Sequence, residues 1–185
     1  MNRRFSISGA VLVLAAMVAL ASAAPALAES TAALDSSARN AYAKLVAKVP
    51  AARELSKRAV AVLVFPKITK AGLVIGGQYG EGVLLRNGQT AGYYSTAGAS
   101  YGLQAGAQQF GYAMFFMHEH ALQALTETDG FEVGVGPSVV VVDEGMAKSA
   151  TSITMKDDVY AFVFGQKGLM AGVGLQGNKI TKLAK

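Results

Sequence analysis

Residues 61–85 read AVLVFPKITKAGLVIGGQYGEGVLL, an apolar run that breaks at Pro66 and continues into a segment crowded with glycine. On a strand, side chains alternate with period two, so Gly72, Gly76, Gly80 and Gly82 fall on one face. That face is nearly bare. Glycine inside a strand gives up packing and backbone entropy, so a regular strip of it predicts a strongly bent sheet, or another element lying close against the backbone. The same parity recurs at Gly98, Gly102 and Gly106, shared with Ser100, Gln104 and Gln108, and again at Gly134 with Gly136 and Gly172 with Gly174. Of the 21 glycines, all but Gly9 lie between Gly72 and Gly177.

The pattern before and after this stretch runs from helices into strands. Asp35 and the serines after it can cap a helix to about Val49, with Leu34, Ala38, Tyr42, Leu45 and Val49 on one side at helical spacing. Pro50 can start a second, short helix over Ala51–Ala59. Strands are predicted at Val60–Phe65, Gly72–Arg86, Gln89–Ser95, Ser100–Gln108 and Tyr112–Met117, with Asn87-Gly88 as the strongest hairpin turn. A helix over His118–Thr126 is inserted next, closed by the Asp129-Gly130 turn. Further strands fit Phe131–Gly136, Ser138–Asp143, Ser149–Met155, Val159–Phe164 and Leu169–Leu175. The Val139–Val142 run is apolar on both faces and is expected to lie buried between sheet and helix. The fold class that results is α+β: a curled or barrel-like antiparallel β-sheet with two N-terminal helices and one inserted helix.

Several blocks carry a family resemblance. In order, VLVFPKITKAG, GGQYGEGVL, AGASYGLQAGAQ, VGVGPSVVV and QKGLMAGVGLQG resemble the blocks of the SYLF domain, a lipid-binding module known from eukaryotic proteins and from exported bacterial ones. The resemblance spans roughly Ala59 to Leu183. It implies a lipid-binding module without a catalytic motif. Eukaryotic members are associated with phosphoinositides and actin, which an exported chain would rarely meet, so no actin binding is expected.

The N-terminus reads as a secretory signal peptide over residues 1–28: a basic MNRRF, an apolar Ala10–Ala21 core, and Ala26-Leu27-Ala28 before Glu29. Its apolar run is too short and too alanine-rich for a comfortable membrane span. Residues 29–185 then form a single domain, helical over 31–59 and β-rich over 60–183. The expected location is periplasmic or secreted, and peripheral on a membrane. There is no cysteine, which excludes disulfides, thiolate metal sites, a cysteine nucleophile and an acylated lipoprotein N-terminus.

The net charge of +5 is unevenly placed. Between Arg39 and Lys70 stand eight basic residues, Arg39, Lys44, Lys48, Arg53, Lys57, Arg58, Lys67 and Lys70, against Glu54 alone. From Glu119 to Asp158 the balance reverses, with eight acidic residues against Lys148 and Lys156. Such a dipole points one end at an anionic surface. The eight basic residues are therefore the expected lipid-binding site.

Catalytic candidates are few. Gly98-Ala99-Ser100-Tyr101-Gly102 satisfies G-x-S-x-G, yet the residues after it continue as glycine-spaced strand instead of a helix, and no acid precedes the histidines in triad order until Glu119. His118-Glu119-His120 is not H-E-x-x-H, and residues two apart on a helix diverge, so a surface helix start is expected and no metal site. Asp143-Glu144 and Asp157-Asp158 sit at strand ends without the alternating oxygens of a calcium loop. GGQYGEG lacks the Walker lysine, and the aromatic residues of Tyr93–Phe116 lack interleaved cations for nucleic acid. No cofactor and no nucleic acid are expected. The function that follows is non-enzymatic binding of an anionic phospholipid or phosphoinositide-like headgroup. The alternatives are a small outer-membrane β-barrel or structural envelope protein and, less favoured, a serine hydrolase at Ser100.

Overall fold

The computed structural model describes residues 30–72, 75–101, 106–128, 130–143, 156–168, 175 and 177–185. Among them are three helices, α1 (Thr31–Lys48), α2 (Pro50–Ser56) and α3 (Glu119–Thr126). Eight strands complete the fold: β1 (Ala61–Gly72), β2 (Ile75–Arg86), β3 (Gln89–Tyr101), β4 (Gly106–Phe116), β5 (Phe131–Glu132), β6 (Val139–Asp143), β7 (Val159–Gly168) and β8 (Lys179–Leu183). The strands form one sheet in the order β5-β8-β3-β2-β1-β4-β7-β6. The expected α+β fold with a curled sheet and an inserted helix is the one observed.

The curl can be read from contacts across the sheet. In a flat sheet β3 and β4 would be three strand spacings apart, about 14 Å. Yet the Tyr112 hydroxyl of β4 donates to Thr96 Oγ1 of β3 at 2.9 Å. β5 and β4 are five spacings apart, about 24 Å if flat, and the rings of Phe131 and Phe116 lie 6.4 Å apart. The face carrying these residues is therefore the inside of a half-barrel.

Glycine makes the bend possible. Gly80 and Gly82 point into the concave face, where a methyl group at Gly82 would sit 2.6 Å from both the Phe65 ring and the Val64 carbonyl oxygen. At Gly80 the corresponding neighbours are Ile68 Cγ1 at 2.6 Å and the Lys67 carbonyl oxygen at 2.7 Å. The element expected to lie against the bare strip is thus the adjacent strand itself. Pro66 does not end β1. It sits in a bulge that shifts the register against both β2 and β4, which is where a central strand can accept a residue without an N–H. The extra residue resets the alternation, so Leu63, Phe65, Ile68 and Lys70 all share the concave face.

Two cores result. The concave one contains Leu63, Phe65, Ile68, Tyr94, Tyr112, Phe116 and Ile180, closed by Leu122 and Leu125 of α3. The convex one packs Leu34, Ala38 and Leu45 of α1 and Leu55 of α2 on Val62, Val64, Val83, Phe115 and Phe162. α1 starts at Ser30, whose hydroxyl accepts from Ala33 N at 3.3 Å, and not at Asp35, which lies inside the helix. Pro50 occupies the first turn of α2, where its missing N–H leaves no bond unmade.

Other expectations need correction. The sheet is mixed, not wholly antiparallel, because β6 and β7 run parallel from Val139↔Val159 to Asp143↔Val163. β6 is last in the strand order and only partly covered: Val142 is buried, Val139 and Val140 are half-buried against the concave and convex cores, and Val141 is 36% exposed. The two strands expected at Gln89–Ser95 and Ser100–Gln108 are split differently. β3 runs unbroken through Thr96-Ala97-Gly98-Ala99, since these small residues pair in register with Gly80 through Gly77. β8 was missed, its short KITKL carrying one buried apolar residue, Ile180. The strands expected at Ser149–Met155 and over most of Leu169–Leu175, and the leader at 1–28, lie outside the described residues. The Asn87-Gly88 turn is as expected, with φ of 51° and 75°, the type I′ signature.

Replacing Gly82 with Ala is expected to destabilise the fold by about 2 kcal/mol, because the added methyl meets a backbone carbonyl that cannot move aside. Gly77→Ala should stay within about 0.5 kcal/mol of the parent, since its nearest neighbour would be Gly98 O at 3.9 Å. Urea denaturation of both variants checks the contrast.

Candidate functional site

The eight basic residues do not form one patch. Arg39 donates to Gly88 O at 2.7 Å and Thr90 Oγ1 at 3.0 Å, tying α1 to the β2–β3 hairpin. Arg53 donates to Val46 O and Ala47 O at 3.1 and 2.7 Å, satisfying carbonyls that the end of α1 leaves open. Lys57 pairs with Glu54 at 2.7 Å, both side chains more than half exposed, so solvent and salt weaken that pair. Lys44, Lys48, Arg58 and Lys67 are exposed. Lys70 is not at the surface: it is only 5% exposed, inside the half-barrel.

Two of the eight meet at a groove. A hollow of about 420 Å³ opens between α1, the end of α2, the start of β1 and the end of β2. Arg39 and Lys57 line it together with Asn87 and Gly88, and Tyr42, Val60, Val62 and Leu85 give it an apolar floor. The sequence builds this shape simply. α1 buries Leu34, Ala38 and Leu45 against the sheet, which leaves Arg39 and Tyr42 beside that seam, and α2 ends one residue before Lys57.

Asp35 secures the seam from the α1 side. Its carboxylate accepts from Thr90 Oγ1 at 2.7 Å and Tyr93 Oη at 2.8 Å. The Thr90 hydroxyl foremost, then that of Tyr93 and the Arg39 charge, hold the carboxyl below the usual range against the opposing effect of burial. The same contact raises the Tyr93 phenol.

The second notable site is the polar row inside the half-barrel. Lys70 is paired across the sheet with Gln78 of β2 on one side and Gln108 of β4 on the other, and all three are buried. Gln78 Nε2 donates to Asn178 Oδ1 at 2.7 Å. Gln108 Oε1 and Asn178 Nδ2 have no hydrogen-bond partner among the described residues. Burial drives the Tyr112 phenol far upward, despite its bond to Thr96, and keeps it neutral. Charge counting along the sequence could not separate Lys70 from the surface cations. Its parity could have, since Lys70, Gln78 and Gln108 share the face of the glycine strip.

Ser100 lies within β3 opposite Gly76, so the strand-to-helix turn of a nucleophile elbow is not formed there. Residues 97–185 match the family model described as Ysc84: Las17-binding protein actin regulator. That match is consistent with a SYLF domain. No curated protein matches the sequence. The matched part begins within β3 and takes in β4, α3 and β5–β8, so the groove residues Arg39–Gly88 precede it. SYLF domains are generally binding modules and not enzymes.

Because the Asp35 carboxyl is lowered on folding, it stabilises the protein above the ordinary carboxyl pKa, and that contribution fades as pH falls through the folded value. Asp35→Asn is expected to lose about 1 kcal/mol at pH 7, allowing for partial exposure. The gap between variant and parent should narrow below about pH 4. Denaturant titrations at pH 7 and at progressively lower pH measure it.

Proposed function

We propose that this SYLF domain is an exported, non-enzymatic binder of anionic membrane lipid, with the helix-side groove as its headgroup site. The observation that carries the reading is the groove itself, a basic rim of Arg39 and Lys57 over an apolar floor of Tyr42, Val60, Val62 and Leu85. A phosphate placed at the rim would meet cations, and the first acyl carbons would meet carbon. Exposed Lys44, Lys48 and Arg58 add attraction at the surface. Each cation near an anionic bilayer contributes about 1 kcal/mol, so four or five give weak, salt-sensitive attachment.

The leader pattern at residues 1–28 supports export to the periplasm or beyond. The family description names Las17 and actin regulation; an exported chain does not meet the cytoskeleton, and actin is no part of this proposal. The outer-membrane barrel is disfavoured because α1 and α2 cover the convex face that would have to meet lipid. Among the described residues no helix is long and apolar enough to cross a membrane.

A second reading has an observation of its own. Gln108 Oε1 and Asn178 Nδ2, buried and without a partner among the described residues, favour a small polar ligand within the half-barrel, since buried polar atoms are rarely left unpaired.

Vesicles of phosphatidylglycerol should sediment with the protein where phosphatidylcholine vesicles do not. Changing Lys44, Lys48, Lys57 and Arg58 together to Glu should weaken that binding at least about tenfold, with the circular dichroism spectrum unchanged. Arg39 and Arg53 are left in place because they hold the hairpin and the end of α1. Equal sedimentation with both lipids, or no effect of the four reversals, would overturn the groove reading; a loss produced by Lys70→Met alone would favour the interior.

A further inference from the structure

The start of α3 brings together three metal-ligating side chains. His118 is the N-cap of the helix, with extended backbone at φ −133° and ψ 148°, while His120 lies in the first turn. Because only one of them is helical, the rings do not diverge as two residues on one helix would. They stack instead, with centroids 5.4 Å apart and planes 11° from parallel. Both face one oxygen: Asp158 Oδ1 lies 3.3 Å from His118 Nδ1 and 2.8 Å from His120 Nε2. All three ligand atoms fall within 4.8 Å of one another.

We propose that His118, His120 and Asp158 form a site for a divalent transition-metal ion of the zinc class. A tetrahedral zinc ion with ligands at about 2.0–2.1 Å has ligand-to-ligand edges of about 3.3 Å. The His118 edge to the carboxylate has that length at 3.3 Å, and the His120 edge, at 2.8 Å, lengthens to it as the ion takes the place of the direct contact. The imidazole-to-imidazole edge closes by rotation of two exposed side chains, which nothing in the core opposes. Two imidazole nitrogens and one carboxylate oxygen select zinc, and not calcium or magnesium, which take oxygen ligands.

The carboxylate is held for the task. Its other oxygen, Oδ2, accepts from Ser138 N at 3.0 Å and from Ser138 Oγ at 3.1 Å, and Ser138 Oγ accepts in turn from Asp158 N at 2.9 Å. Such outer contacts fix a ligand's orientation and leave Oδ1 aimed at the imidazoles. Ser138 therefore acts as a positioning residue. The ion would join the corner between β4 and α3 to the starts of β6 and β7, beside the existing Met117 N to Asp158 O bond at 2.8 Å. Three protein ligands leave the fourth position to water. The site shares no residue with the basic groove, so its zinc binding is tested independently of lipid binding.

Isothermal titration of tag-free, metal-stripped protein with zinc chloride should show one ion per chain, and cobalt(II) should give the visible absorption of a low-symmetry, nitrogen-and-oxygen site. His118→Ala and His120→Ala, both at exposed positions that leave the fold intact, should each weaken zinc at least about tenfold, and Ser138→Ala about tenfold through misorientation of Asp158. Glu127→Gln, at the far end of α3, should change nothing, and excess calcium should not compete. Zinc should also raise the melting temperature of the parent and not of His120→Ala. Absence of saturable zinc binding, or binding that survives both histidine changes, would overturn the site.

Discussion

Phe65 and Ile68 lie directly over the β2 backbone because Gly82 and Gly80 offer no side chain there. That close approach is the contact on which the rest of the structure depends. It allows the sheet to curl until β4 touches β3 and β5 across the inside, and the Pro66 bulge between the two contacts keeps apolar residues facing inward on both sides of the proline. With side chains at those glycines the strands would stand apart, the sheet would flatten, and Tyr112 would have no Thr96 to reach.

The curl also divides the labour between the two faces. The concave face becomes a closed core with one polar row at Lys70, Gln78 and Gln108. The convex face is too wide to be left bare and is covered by α1 and α2. The groove exists because one straight helix and a single short one after it cannot cover a curved surface completely. Its basic rim is a by-product of positions with structural duties, since Arg39 binds the hairpin it borders.

Much of this architecture was legible. Period-two glycines announced curvature, Asn87-Gly88 announced its turn, and the apolar spacing of Leu34, Ala38 and Leu45 announced α1. What failed, failed for identifiable reasons. Asp35 looked like a cap because acids often are, but its partners, Thr90 and Tyr93, are remote in sequence and the helix starts earlier. Val139–Val142 looked buried because apolar runs usually are; its parallel place at the end of the strand order depends on a crossover that local pattern does not encode. His118 and His120 diverge only if both are helical, which is what their sequence neighbourhood suggests. A single extended residue at the N-cap reverses that conclusion, and Asp158 joins them only through folding.

The pairing of Gln78 with Asn178, 100 residues apart in the chain, and of β3 with β8 at the C-terminus has a kinetic meaning. β1 to β3 can zip up as successive hairpins, each closing a short loop, and β4 then returns past them to pair with β1. The concave face, however, stays open on the β3 side until the last residues arrive, and the loop they close is long. Until β8 pairs, the apolar interior is therefore uncovered on that side. The final strand, only five residues long, acts as the latch that ends that exposure.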